Sequence, residues 1–123
     1  MSGTNVLIDT NLLIFLSKGY VSVDQVFDNE VAQYAISVVT QMEALGYPFK
    51  SKVEEDFIRN LVDLFDVIYI DEKIAHQVIN LRKQHRIKLP DAIICATAIV
   101  NGATLYSNDL KLPAISGLLQ KSF

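Results

Sequence analysis

Leu89-Pro90-Asp91-Ala92-Ile93-Ile94-Cys95-Ala96-Thr97-Ala98-Ile99-Val100-Asn101, then Gly102 and Thr104-Leu105-Tyr106-Ser107-Asn108-Asp109, is the stretch that decides the fold. Pro90 suits a first helical turn. From Asp91 to Asn101 the chain is apolar nearly all round, so a helix here has no face for water and belongs in an interior. Gly102 stops it. A short β-prone run, Thr104 to Tyr106, follows at once, with Ser107, Asn108 and the acid Asp109 beyond its end. A buried helix leading directly into a short strand is half of a repeating strand–helix unit.

The same alternation runs back to the start. Asn5-Val6-Leu7-Ile8 reads as a strand, and Asp9 follows its carboxyl end. Asn11 to Leu16 predicts a short helix, and Ser22-Val23-Asp24-Gln25 a capping box that opens another through Phe27. Tyr34 to Val38 is a strand, and Val39 to Leu45 a helix stopped by Gly46 with Pro48 just beyond. Ser51-Lys52-Val53-Glu54 predicts a further capping box, opening an amphipathic helix whose apolar residues are Val53, Phe57, Ile58, Leu61, Val62, Leu64 and Phe65. Val67 to Ile70 is the clearest strand. Asp71 can cap the helix after it, and Arg82 to Leu89 reads as a basic connection.

Strands alternating with helices imply a central, mostly parallel sheet covered on both faces, a three-layer α/β/α sandwich. The chain has 123 residues, half of them hydrophobic, which fits one domain over 1–123 with a substantial core. The apolar run Ala92 to Val100 is far too short to cross a bilayer, so no membrane association is expected. A lone cysteine, Cys95, cannot close an internal disulfide, which suggests a reducing, cytoplasmic setting. The formal net charge of −3 leaves no overall basic footprint for nucleic acid. Any phosphate-binding surface must therefore be local, or draw on metal ions.

The chain holds 14 acids, and most have a structural explanation. Asp24, Glu54, Glu55, Asp56, Asp71 and Glu72 sit in expected caps and first turns, where negative charge favours the helix dipole. Asp28, Glu30, Asp63 and Asp66 fall on polar faces or element ends. Four acids stand apart. Asp9 lies between two core-forming runs, where desolvation needs compensation, although capping the next helix would also account for it. Glu43 sits in a short, mostly apolar helix, where an outer-face position competes with a functional one. Asp91 opens the buried helix, where the dipole alone would welcome it. Asp109 leaves a strand end, within ordinary turn chemistry.

The signal is in the set. In parallel sheets of this kind, ligands bind outside the carboxyl ends of the strands. Asp9 and Asp109 both leave strands there, and the helices of Glu43 and Asp91 can run beside that edge. Converging carboxylates repel one another, and a divalent cation removes the conflict. Oxygen-only ligands suit Mg²⁺ or Mn²⁺ rather than zinc. His76 and His85 lack a close-spaced ligand partner and read as surface residues, and Cys95 reads as core.

On these residues the chain resembles the PIN-domain family. Val6-Leu7-Ile8-Asp9-Thr10-Asn11 looks like its opening strand and first acid, and Met42-Glu43 like its second. Leu89 to Ala98 is very similar to the third motif, the most specific of the four. Leu105-Tyr106-Ser107-Asn108-Asp109 resembles the last, a strand followed by Thr/Ser-x-Asp. The likeness runs in the right order over almost the whole chain, and the size resembles the VapC-like toxins of toxin–antitoxin pairs.

The resemblance implies Asp9, Glu43, Asp91 and Asp109 as catalytic, metal-binding acids, with Thr10, Asn11 and Ser107 supporting them. It implies a Mg²⁺- or Mn²⁺-dependent RNA endonuclease, in which water attacks phosphorus in line and leaves 5′-phosphate and 3′-hydroxyl ends. A cognate antitoxin and a homodimer are implied as well. Many relatives place an aromatic where this chain has Leu110-Lys111-Leu112-Pro113, which points to a short or absent last strand.

Beside the resemblance, Arg82, Lys83, Arg86 and Lys88, with His85, form a basic run just before Pro90-Asp91. It suits an RNA backbone, and equally a solvated helix end. Other readings fare worse. A phosphorylation-receiver module wants an acidic pair after the first strand, where Asp9 stands alone, and a lysine after a late strand, where Asp109 stands. A phosphatase of the haloacid-dehalogenase type wants an aspartate at Asn11. A PIN-like domain used only for binding would be expected to have lost acids, and all four are present. Within nucleases, a role in RNA processing or on DNA is the alternative, because the metal chemistry does not select the sugar.

Overall fold

The computed structural model describes residues 5–28, 31–108 and 114–123. Five strands form one sheet in the order β3-β2-β1-β4-β5: β1 (Val6–Ile8), β2 (Tyr34–Ser37), β3 (Asp66–Ile68), β4 (Thr104–Ser107) and β5 (Leu119–Ser122). Every pairing is parallel. The helices are α1 (Thr10–Ser17), α2 (Val23–Val26), α3 (Val38–Leu45), α4 (Lys52–Asp63), α5 (Glu72–Gln84) and α6 (Leu89–Asn101).

Strand alternation builds the three layers. Successive side chains of a strand point to opposite faces. Leu7 of β1, Ala35 of β2 and Leu105 of β4 join a core with Ile74, Val78 and Leu81 of α5 and with Ala92 to Ala96 of α6. Their neighbours Val6, Ile8, Ile36 and Tyr106 join a second core with Leu12, Leu13 and Leu16 of α1 and Ile58, Leu61 and Val62 of α4. The apolar residues of the three central strands therefore feed one core or the other, and the sheet is covered on both sides as the α/β/α reading expects.

Helix α6 is buried from Ala92 through Ala98, as its all-round apolarity requires. Gly102 ends it at φ 62, in the left-handed region, and a Cβ there would meet nothing within 4 Å. Gly102→Ala is thus a test of backbone strain alone. It should cost about 1–2 kcal/mol, read from the urea midpoint at unchanged slope.

Several boundaries differ from the sequence expectation. Strand β3 stops at Ile68, because the β2 register reaches only Ser37↔Ile68. Tyr69 and Ile70 leave the sheet, and Asp71 caps α5 by accepting from the Ile74 amide at 2.8 Å. Helix α5 continues to Gln84, so Arg82 and Lys83 form its last turn rather than part of a connection. The last strand is present but short. Its four residues are exposed, and beyond them the Phe123 ring packs on Tyr106 at 5.0 Å.

Candidate metal centre at the carboxyl edge of the sheet

Strand β1 occupies the middle of the sheet, between β2 and β4. The residue leaving its carboxyl end is Asp9, which is only 5 % exposed. A carboxylate this deep needs partners, and two are visible. Its Oδ1 accepts from the Leu12 amide at 2.8 Å, which makes it the N-cap of α1. Its Oδ2 accepts from the hydroxyl of Ser107, a buried residue at the end of neighbouring β4. Capping and site membership were competing explanations in the sequence; here one oxygen caps while the other faces the adjacent strand end. A carboxylate offers about four acceptor positions, so it can cap the helix and meet the strand end at the same time.

Glu43 joins the same edge through Thr10. The Thr10 hydroxyl donates to Glu43 Oε1 at 2.7 Å and lies 3.0 Å from the Thr40 hydroxyl. A hydroxyl has one proton. The carboxylate can only accept, so Thr10 gives its proton to Glu43 and receives one from Thr40. Glu43 is solvent-exposed, yet it is fixed by a residue adjacent to Asp9 in the chain. Thr40 is fully buried and has no counterpart in the sequence reading. The available clue is its spacing: three residues before Glu43 on one helix, it shares that residue's face. Ser37, also fully buried, fixes the start of α3 by accepting from the Val39 amide at 3.1 Å.

The position of Asp91 follows from the path of α6. That helix ends where β4 begins, at the amino edge of the sheet, and it packs on β2, β4 and α3. Thirteen helical residues reach about 20 Å, whereas a four-residue strand reaches about 13 Å. The first turn of α6, with half-buried Asp91, is thereby carried toward the carboxyl edge where α3 starts. Asn11 is exposed in the first turn of α1. Asp109 lies outside the described residues.

The donors suit a hard divalent ion, since all are oxygens. Asn108 Oδ1, between Ser107 and the fourth acid in sequence, is buried without a hydrogen-bond partner. Such an orphaned acceptor is the kind of atom that a cation or a water held by one satisfies. Among the described residues, no three Asp, Glu, His or Cys side chains are grouped closely enough to hold an ion by themselves. His76 pairs with Glu72 at 3.6 Å on the exposed face of α5, and Cys95 is buried in α6. Next to Ser107, burial pushes the Tyr106 hydroxyl above its ordinary pKa and Asp28 adds to the effect, so it stays a neutral phenol at the site's flank.

The basic run is exposed at Arg82, Lys83, Arg86 and Lys88, with His85 half-buried. Lys88 is the N-cap residue of α6, so the run leads into the turn that carries Asp91.

A family model described as "PIN domain" matches residues 6–118. Among solved structures, a chain of a toxin–antitoxin complex from Klebsiella pneumoniae is 31% identical, with a TM-score of 0.74 over 94% of this chain and 96% of that one. A chain of VapBC2 from Rickettsia felis, solved with a fragment of promoter DNA, gives a TM-score of 0.82 at 19% identity, covering 98% of this chain and 99% of that one. A chain of DNA-bound VapBC from Salmonella typhimurium gives 0.80 at 22% identity, covering 97% and 98%. The last two likenesses speak to the fold. No curated protein matches the chain significantly. Among the described residues no helix is long and apolar enough to cross a membrane.

Proposed function

The chain belongs to the PIN-domain family, and from that premise we propose that it is a metal-dependent endoribonuclease, the VapC-like toxin of a toxin–antitoxin pair. The observation that carries the reading is Asp9: a carboxylate 5 % exposed at the end of the central strand, one oxygen on the α1 amide and the other on Ser107. No helix cap needs that second arm. The toxin–antitoxin complex at 31% identity supports an antitoxin as partner. The cytoplasm as compartment and a second copy of the chain as dimer partner belong to the same proposal.

In this reading Asp9, Glu43, Asp91 and Asp109 hold Mg²⁺ or Mn²⁺. Bound there, the ion supplies Lewis acidity, acidifying water and offsetting the charge that builds on the phosphodiester. The chain's own residues do the rest. Ser107 orients Asp9 by donating to one oxygen, and the Leu12 amide holds the other. Thr10, braced by Thr40, holds one oxygen of Glu43 and so fixes the orientation of its carboxylate. Such outer partners fix ligand orientation, and their loss typically costs about 10–100-fold in metal affinity or activity. None of this needs a histidine or the RNA 2′-hydroxyl.

The test is cleavage of labelled structured RNAs with Mg²⁺, with Mn²⁺ and with chelator. Cleavage that needs the ion and leaves 5′-phosphate and 3′-hydroxyl ends supports the reading. Cleavage that persists in chelator, or leaves cyclic phosphate ends, contradicts it. The basic run provides a separate expectation. Replacing Arg82, Lys83, Arg86 and Lys88 together with alanine should weaken RNA binding and flatten its salt dependence, while metal affinity measured by calorimetry stays close to wild type. Unchanged RNA affinity at moderate salt would assign those side chains to the helix end alone.

A further inference from the structure

Away from the acids, the far ends of α1 and α3 enclose a small pocket built from Lys18, Tyr20, Tyr47, Phe49, Lys50 and Glu54 among others, with a volume of about 250 Å³. Its rings are set in place. Tyr47 and Phe49 meet edge to face at 4.8 Å. Lys18 Nζ donates to the Tyr47 hydroxyl at 2.9 Å and stands 4.9 Å over the same ring. That hydrogen bond is the main cause that raises the Lys18 pKa, so the ammonium keeps its charge. Tyr20 is 67% exposed, and Phe15 props its ring edge to face at 5.4 Å. Two lysines face one glutamate, so the rim is net positive.

One exposed ring, Tyr20, and the half-buried rings of Tyr47 and Phe49 beside cations make a stacking platform with a backbone contact. We propose that this pocket is a subsite for an unpaired nucleobase of a single-stranded RNA, stacked on Tyr20 or Tyr47, with Lys18 and Lys50 on its flanking phosphates. The inference rests on the nuclease reading and adds to it a contact for one base well away from the acids. The volume lies just under the range of drug-sized sites, which suits one planar ring better than a segment of folded protein. Connection to the acids is direct. Helix α1 runs from the Asp9 cap to Lys18, and α3 carries Glu43 one turn before Tyr47. Eight helical residues span about 12 Å.

The test uses the full chain in chelator, so that binding is read without cleavage. The probes are a fluorescent oligouridylate of roughly ten nucleotides and an abasic strand of equal length and charge. Tyr20→Ala should weaken the oligouridylate about tenfold and leave the abasic strand unchanged, and Tyr20→Phe should restore binding. Lys50→Gln should weaken both strands. With metal present, Tyr20→Ala should raise KM about tenfold at unchanged kcat on single-stranded RNA. Wild-type affinity for both strands in Tyr20→Ala and Lys50→Gln, with RNA still cut, overturns the subsite and leaves the nuclease reading standing. Loss of antitoxin binding with RNA binding intact assigns the pocket to a protein and also overturns it. A wild-type chain that neither binds nor cuts RNA removes the nuclease reading and the subsite together.

Discussion

Asp9→Asn should lower metal-dependent RNA cleavage by more than about a hundredfold while the protein stays folded. The two halves of that expectation come from the two oxygens. Asn is as good an N-cap as Asp, so its carbonyl keeps the Leu12 amide and α1 remains anchored. The other arm becomes an amide nitrogen. The Ser107 hydroxyl can rotate to accept from it, which keeps that contact. What disappears is the negative charge, which a hard cation requires. Removing partners one shell further out already costs about 10–100-fold, so loss of a ligand's charge exceeds that. Thermal unfolding and cleavage measured on one preparation check both halves. A large fall in Tm would show that Asp9 is chiefly structural, and undiminished cleavage would remove it from the chemistry.

The second large effect lies one residue earlier and is thermodynamic. Ile8 is fully buried in the core formed with α1 and α4. Ile8→Ala leaves a cavity in close-packed surroundings and should cost about 2–5 kcal/mol. Against a total stability of about 5–15 kcal/mol, that is a large fraction. Chemical denaturation should show a lowered midpoint with little change in slope. Ile8 is also the step before Asp9 on the central strand, so the variant tests whether strand packing positions the carboxylate. Cleavage at low temperature, where the variant is still folded, should fall less than in Asp9→Asn. A fall as deep would mean that the strand end, rather than the charge, is what the reaction needs.

Sequence reasoning reached the elements whose cause is local. The all-round apolarity of Ala92 to Ala98 yields a buried helix, Gly102 takes the left-handed conformation that ends it, and Asp71 and Ser22 cap as their patterns require. It fell short where the cause is a partner far along the chain. Val67 to Ile70 has the composition of one strand, but β2 supplies pairing only as far as Ile68. Nothing local announces that limit. Thr40 reads as a stray hydroxyl in an apolar helix, and its role appears only when α3 lies against α1, thirty residues earlier, and brings Thr10 within 3.0 Å. The double engagement of Asp9 is of the same kind, since Ser107 is 98 residues away. The aromatic pocket, too, needs α1 and the segment after α3 side by side before it exists.

The convergence of Asp9 and Asp91 on one ion is the claim from which the rest follows. Crystals soaked in Mn²⁺ and measured for anomalous scattering test it directly. One strong peak is expected at the carboxyl edge of the sheet, with oxygens of both carboxylates about 2.0–2.2 Å from it. A peak elsewhere, or Asp9 and Asp91 separated by more than any single ion can bridge with no density between them, would contradict it.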